Sequence, residues 1–159
     1  MKNIIYLSTL IFSLILSSTS IAQQKEHPVK WVVTVEQTKE DSATLIFTAI
    51  IEKGWHIYSQ FTPDGGPIAT AFTYPKPSTP ALPYALVGKT TEPKADEAFD
   101  KDFGVKVMTL QGAPIFRQQL AIKGKKKISI PIKIDYEACK DRCLFLDTSF
   151  VMTIIPKTK

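Results

Sequence analysis

An all-β sandwich is the fold class this sequence predicts, on three observations. Short β-branched and aromatic runs alternate with turn residues along most of the chain. The stretch from Ile128 to Tyr136 has a strict period of two, with isoleucines on one face. Helix signals are scarce, and the prolines gather in one irregular middle segment. With 159 residues and 44% hydrophobic content, the chain has length enough for one core and one domain.

The first 22 residues stand apart from that pattern. Lys2 precedes an apolar run from Ile4 to Leu16, then "SSTS" and the small-x-small site Ser20-Ile21-Ala22. This is the layout of a secretory signal peptide, and the run is shorter than the roughly 20 residues that span a bilayer. Residues 1–22 are therefore expected to be removed. No cysteine lies at the cut to take a lipid, so a single domain, 23–159, is expected to act as a soluble exported protein without membrane insertion.

The elements follow in order. "VKWVVTVEQ" (29–37) and "ATLIFTAIIEKGWHIY" (43–58) predict two strands joined by the polar turn "TKEDS", the second running on through Gly54. Leu45, Phe47, Ala49 and Ile51 share one face of the second, which predicts a central strand. The proline-rich middle, 62–84, cannot sustain a ladder, and "LVGKTTEPKADEAFDKDFG" (86–104) reads as a long surface loop. Strands resume at 105–111, 114–122 and 127–138, and "TSFVMTII" (148–155) closes the domain. In 127–138, Pro131 argues against pairing on both sides at that point. The total is roughly seven to nine strands, as a sandwich needs.

Charge excludes little. The formal net charge is +5 and becomes +4 once Lys2 is lost, leaving 19 basic against 15 acidic residues. The densest basic run, "KGKKK" (123–127), lies between two strands and reads as a solvated hairpin turn rather than a nucleic-acid site. No phosphate loop, nucleophile elbow, HExxH or haem-attachment motif is present, and the Gly65–Gly66 pair sits in a turn.

The chemistry concentrates in "YEACKDRCLF" (136–145), which holds both cysteines, Cys139 and Cys143. In an extended strand residues four apart are about 13 Å apart, and a disulfide needs Cα atoms within about 7 Å, so bonding requires a turn at Lys140-Asp141-Arg142. The pair is thus expected at an exposed tip joining the last two strands. Export makes a disulfide plausible. As a staple it would be inefficient, because closing a loop of about five residues removes only about 2 kcal/mol of unfolded-state entropy. Three readings stay open on spacing alone: a redox dithiol, a structural hairpin bond, and a metal site. The last is weakest, since His27 and His56 are far off in sequence and Met108 and Met152 are better core fillers than copper ligands. No cofactor or metal is expected.

"VKWVVTVEQ", "GWHIYSQFTPDGGPIATAFTY", "FDKDFGVKV" and "IKIDYEACKDRCL" together resemble the amino-terminal periplasmic domain of the thiol:disulfide interchange protein DsbD, over nearly all of residues 23–159. The resemblance implies an immunoglobulin-like β-sandwich whose cysteine pair passes electrons in the periplasm. The donor would be a thioredoxin-like or membrane electron-carrying protein, and the acceptor a periplasmic protein bearing a disulfide. It further implies Cys143 as the sulfur that forms the mixed disulfide, Cys139 as its resolving partner, and "DKDFG" as a cap, with Phe103 the capping ring and Asp102 its neighbour. Two departures stand out: the gap between the cysteines is shorter than the family's usual one, and "LFLD" (144–147) follows in place of prolines. The family's full-length reductase also carries membrane and thioredoxin-like domains, so here electrons are expected from a separate protein.

Around the pair, Lys140 and Arg142 favour a thiolate while Asp141 and Glu137 oppose it, and Tyr136 and Phe145 are candidates to shield the sulfurs. The competing reading, from a different class, is a non-catalytic secreted sandwich that binds through its proline-rich loops, motivated by Phe61, Phe72, Tyr74 and Tyr84, with the disulfide only pinning a hairpin.

Overall fold

The computed structural model describes residues 27–76, 82–101 and 103–156. Ten strands form among them: β1 (Val29–Lys39), β2 (Ser42–Ile51), β3 (His56–Tyr58), β4 (Ala71–Thr73), β5 (Tyr84–Thr91), β6 (Asp96–Asp100), β7 (Val105–Leu110), β8 (Ile115–Ile122), β9 (Ile128–Cys139) and β10 (Cys143–Ile154). One sheet has the order β1-β2-β8-β5; the other runs β10-β9-β3-β7-β6, with β4 also paired to β9. The two pack as a sandwich, as predicted, with slightly more strands than expected. All the paired strands are antiparallel.

Alternation decides which faces meet. Leu45, Phe47 and Ala49 on β2 are fully buried, as are Ile130 and Ile134 on β9, and they enclose Phe116 and Leu120 from β8. β2 lies between β1 and β8, the central place its apolar face predicted. Each such aliphatic or aromatic side chain contributes about 1.5–3 kcal/mol by burial. Trp31 joins the layers: its ring lies 5.6 Å from Phe116 in one sheet and 5.6 Å from Tyr136 in the other. Polar side chains are enclosed as well, Gln118 the largest of them. Gln118 accepts a hydrogen bond from Thr90 Oγ1 at 2.9 Å and donates to the carbonyls of Val87 and Gln119 at 3.2 and 2.9 Å, so its burial leaves neither end unpaired.

The structure corrects three expectations about the elements. The run 43–58 is not one strand. It breaks after Ile51, and β3 belongs to the opposite sheet, because the turn closed by Trp55 N–H donating to the Glu52 carbonyl carries the chain across the sandwich. Residues 86–104 are no surface loop, for they contain β6 and most of β5. These are edge strands facing solvent, with only Tyr84 and Thr90 of β5 buried and no buried residue in β6, so they lack the apolar alternation that marks an inner strand. The short β4 likewise emerges within the proline-rich middle. Third, the basic run 123–127 is solvated as expected but joins β8 to β9 across the two sheets instead of turning a hairpin. Pro131 behaves as predicted: it lies opposite Val151 on β10, and the pairing of β4 on the other side of β9 stops at Lys133.

Among the described residues no helix is long and apolar enough to cross a membrane. Residues 1–22, the expected signal peptide, lie outside them.

A candidate redox site at the β9–β10 hairpin tip

β9 and β10 stay in register over their full length and end on the pair Cys143↔Cys139. Lys140, Asp141 and Arg142 make the turn, with Lys140 N–H donating to the Arg142 carbonyl at 3.1 Å. The Cα atoms of the two cysteines are 4.1 Å apart and their sulfurs are bonded. A cross-strand pair faces one way, so both sulfurs stand on the outer face of the second sheet. Their exposure is unequal. Cys139 is 3% exposed, packed with Tyr58 and Val107 in a small cluster that Val105 borders, whereas Cys143 is exposed. A partner's sulfur can therefore reach Cys143.

Three nearby segments frame the pair. β3 brings His56 opposite Cys139, and His56 Nε2 lies 3.3 Å from the Tyr58 hydroxyl. Segment 59–70 is tied to the same region: Thr70 Oγ1 donates to the Tyr58 carbonyl at 2.6 Å, and Ile68 N–H donates to Glu137 Oε2 at 2.7 Å. Glu92 anchors its start, accepting from Ser59 Oγ and from Gln60 N–H. The third is the turn between β6 and β7, held by Gly104 N–H on the Asp100 carbonyl at 2.9 Å and Phe103 N–H on Asp100 Oδ1 at 3.2 Å.

Electrostatically, the carboxylates of Glu137 and Asp100 act on the outer face beside the sulfurs, with Lys140 and Arg142 at the tip. Burial lowers the pKa of His56, with the Asp100 carboxylate pulling the other way. Burial raises that of Tyr58, and the carboxylates of Glu137 and Asp100 raise it further. Both rings are thus neutral at physiological pH and available as hydrogen-bonding walls. Glu137 offers a carboxylate oxygen that lies, with both sulfurs, in a group whose atoms are all within 4.8 Å of one another. In the disulfide these sulfurs hold no thiolate charge for a metal; as a dithiol the group would supply three ligands, one short of a closed zinc site. His27 is exposed near the start of β1, and Met108 and Met152 pack against the core.

The predicted site residues separate clearly. Cys139 and Cys143 are together. Phe145 lies opposite Glu137, two residues beyond Cys143 on the same outer face, and is 60% exposed, so its ring flanks the sulfurs without covering Cys143. Tyr136 does not shield them: its side chain points into the core beside Trp31, on the other side of the sheet from Cys139. Phe103 is 42% exposed at the β6–β7 turn, two residues before Val105. Asp102 lies outside the described residues. Sequence reasoning underused Glu137, whose alternate position to Cys139 on β9 already placed its carboxylate on the sulfur-bearing face.

The aromatics that motivated a binding role through the proline-rich loops are mostly interior. Phe72 packs at 4.8 Å from Phe47 and 5.2 Å from Phe116, Tyr84 is 4% exposed, and Tyr74 is half-buried with its hydroxyl 3.2 Å from Thr90 Oγ1. Only Phe61 of the four stands out in solvent. Two surface grooves of about 410 and 430 Å³ are lined by residues such as Pro131 and Val151 or Phe61 and Leu86, not by the cysteines. The reactive bond sits on a tip, where a protein surface can close over it.

Gly54 supports that tip from below. Its φ is +85°, and a Cβ there would lie 3.3 Å from Lys140 Cε. Gly54→Ala is expected to lower stability by about 1–2 kcal/mol through the left-handed backbone alone, seen as a lower urea midpoint; an unchanged midpoint would contradict the strained turn.

The comparisons with known proteins agree with this picture. The family model "Thiol:disulfide interchange protein DsbD, N-terminal" matches residues 23–154. The N-terminal periplasmic domain of ScsB from Proteus mirabilis superposes with a TM-score of 0.57 at 13% identity, over 80% of this chain and 47% of that one. This chain thus spans about half the length of that structure. The reduced DsbD N-terminal domain of Neisseria meningitidis gives a TM-score of 0.47 at 18% identity, covering 79% of this chain and 90% of the other. The same domain in a complex with the PilB N-terminal domain gives 0.46 at 16%, over 80% and 89%. No curated protein sequence matches. By the match over residues 23–154 and the sandwich that carries the cysteine pair, the chain belongs to the DsbD N-terminal family of thiol:disulfide interchange modules.

Proposed function

We propose that this module passes electron pairs between protein partners in the periplasm through the Cys139–Cys143 pair. The observation that carries the reading is the asymmetry of the bond: one sulfur exposed at a hairpin tip, the other buried beside it on a rigid strand. In reduction, a donor thiolate attacks Cys143 Sγ, a mixed disulfide forms, and the electron pair of the broken bond leaves on Cys139 Sγ. The donor's second thiol then releases itself as a disulfide, and both cysteines end as thiols. Run in reverse, Cys143 attacks an acceptor's disulfide and Cys139 resolves it. Nothing in the cycle needs a bound cofactor.

A thioredoxin-like or membrane electron-carrying protein fits as donor and a periplasmic disulfide protein as acceptor. Phe103, 42% exposed at the β6–β7 turn, fits the capping ring that the family resemblance implies, with Asp102 its neighbour in sequence. The exported unit is residues 23–159, after loss of 1–22. The binding-module reading loses its motive with Phe72, Tyr74 and Tyr84 turned inward.

A redox titration tests the proposal. Equilibrated against glutathione buffers, the pair is expected to titrate at a potential above about −300 mV, the level below which a bond resists the glutathione pool. A lower value would mark an inert structural disulfide.

A further inference from the structure

The module is a net cation, yet a carboxylate borders its disulfide. On β9 and β10 the outward residues run Cys139, Glu137, Asp135 and Cys143, Phe145, Asp147. Lys133 is paired with Asp135 at 2.6 Å. From β3 the Tyr58 hydroxyl and His56 face this region, with Asp100 added by the end of β6. Lys140 and Arg142 stand in the tip itself, and the Lys140 side chain lies against Gly54. Among the described residues Glu137 forms no ion pair, and the hydrogen bond it accepts there, from Ile68 N–H at 2.7 Å, fixes one carboxylate oxygen without a cation beside it.

Resting on the exchange reading above, we propose that Glu137 sets the charge selectivity of exchange: its carboxylate, within 4.8 Å of both sulfurs, repels an anionic thiol and favours a partner that brings a cation to it. The reacting species is a thiolate, and the electron pair it displaces also lands as negative charge on Cys139 Sγ, next to the same carboxylate. Relative to a neutral side chain at 137, Glu137 disfavours both the approach and the departing charge, against the pull of Lys140 and Arg142, and a positive group beside the attacker relieves that cost. A charge about 5 Å from the reacting sulfur acts strongly enough to change rates severalfold even in a watery setting. The partner surface that fits is therefore one with a lysine or arginine beside its reactive cysteine. Anionic small thiols are held back, so the bond reacts preferentially with such a protein.

The test uses three small thiols on the oxidised domain, wild type and Glu137→Gln: anionic glutathione, neutral 2-mercaptoethanol and cationic cysteamine. Second-order rates are corrected for each reagent's thiolate fraction. In every case two thiol molecules supply the two electrons and leave as their own disulfide. Wild type is expected to react in the order cysteamine, 2-mercaptoethanol, glutathione. Glu137→Gln, which keeps an acceptor for Ile68, is expected to raise the glutathione rate relative to cysteamine by about three- to tenfold, and Glu137→Lys to invert the order. A purely structural role for Glu137 would move all three rates alike and leave the order unchanged, and that result overturns the charge proposal while the exchange reading survives. If no thiol reduces the bond in folded wild type, the exchange reading falls, and this proposal with it.

Discussion

Cys139→Ala is expected to accumulate a mixed disulfide through Cys143 with a thioredoxin-like partner and to lose turnover by at least about a hundredfold. The size follows from geometry. Cys139 is held opposite Cys143 by the ladder, with Cα atoms 4.1 Å apart, so resolution is intramolecular, and a free thiol at millimolar concentration cannot replace so high an effective molarity. Cys143→Ala is expected to trap far less, because the remaining sulfur is buried against Tyr58 and Val107. Non-reducing gels and mass spectrometry of the adduct read both outcomes, and circular dichroism checks that each variant is folded. Losing the bond itself removes only about 2 kcal/mol of unfolded-state constraint. Trapping through Cys139 in preference to Cys143 would reverse the assigned roles, and no adduct with either variant across plausible partners would count against the relay.

Phe116→Ala is expected to destabilise the domain by about 3–5 kcal/mol, the range for emptying a fully buried phenylalanine site. Phe116 is at 0% exposure, with Trp31 at 5.6 Å and Phe72 at 5.2 Å, and neighbours from both sheets cannot collapse into the gap without moving backbone. Against a typical total of about 5–15 kcal/mol, such a loss endangers folding. Phe145→Ala provides the contrast: its ring is 60% exposed, and its removal is expected to change stability by less than about 0.5 kcal/mol. Urea midpoints compare the two. Equal shifts would mean that the core is not centred where the rings place it. The consequence reaches the site, because Trp31 links Phe116 to Tyr136, and Tyr136 lies three residues before Cys139 on the same strand.

Much of this was legible in the residues. The inward faces of β2 and β9 follow from a period of two, because a strand half-buried in a sandwich must put its apolar side chains on alternate positions. A three-residue gap between cysteines that bond demands a turn, since an extended chain holds them too far apart. The outer strands β5 and β6 were illegible for the converse reason: an edge that faces water needs no apolar alternation, so its pairing leaves little trace in composition. The crossing at Gly54 was equally hidden, as one glycine within a strand-like run does not say which sheet the chain enters next.

By itself, then, the sequence determined an all-β domain with its cysteine pair at a bend, because side-chain periodicity and chain reach are local properties. Tertiary structure alone decided which sulfur is sheltered, that Tyr58 and Val107 pack over Cys139, and that His56 and Ile68 from distant segments border the bond. Those outcomes depend on the register of β9 against β10 and on which segments from elsewhere in the chain pack over them. Burial and electric field are sums over neighbours distant in sequence, and no local pattern contains them.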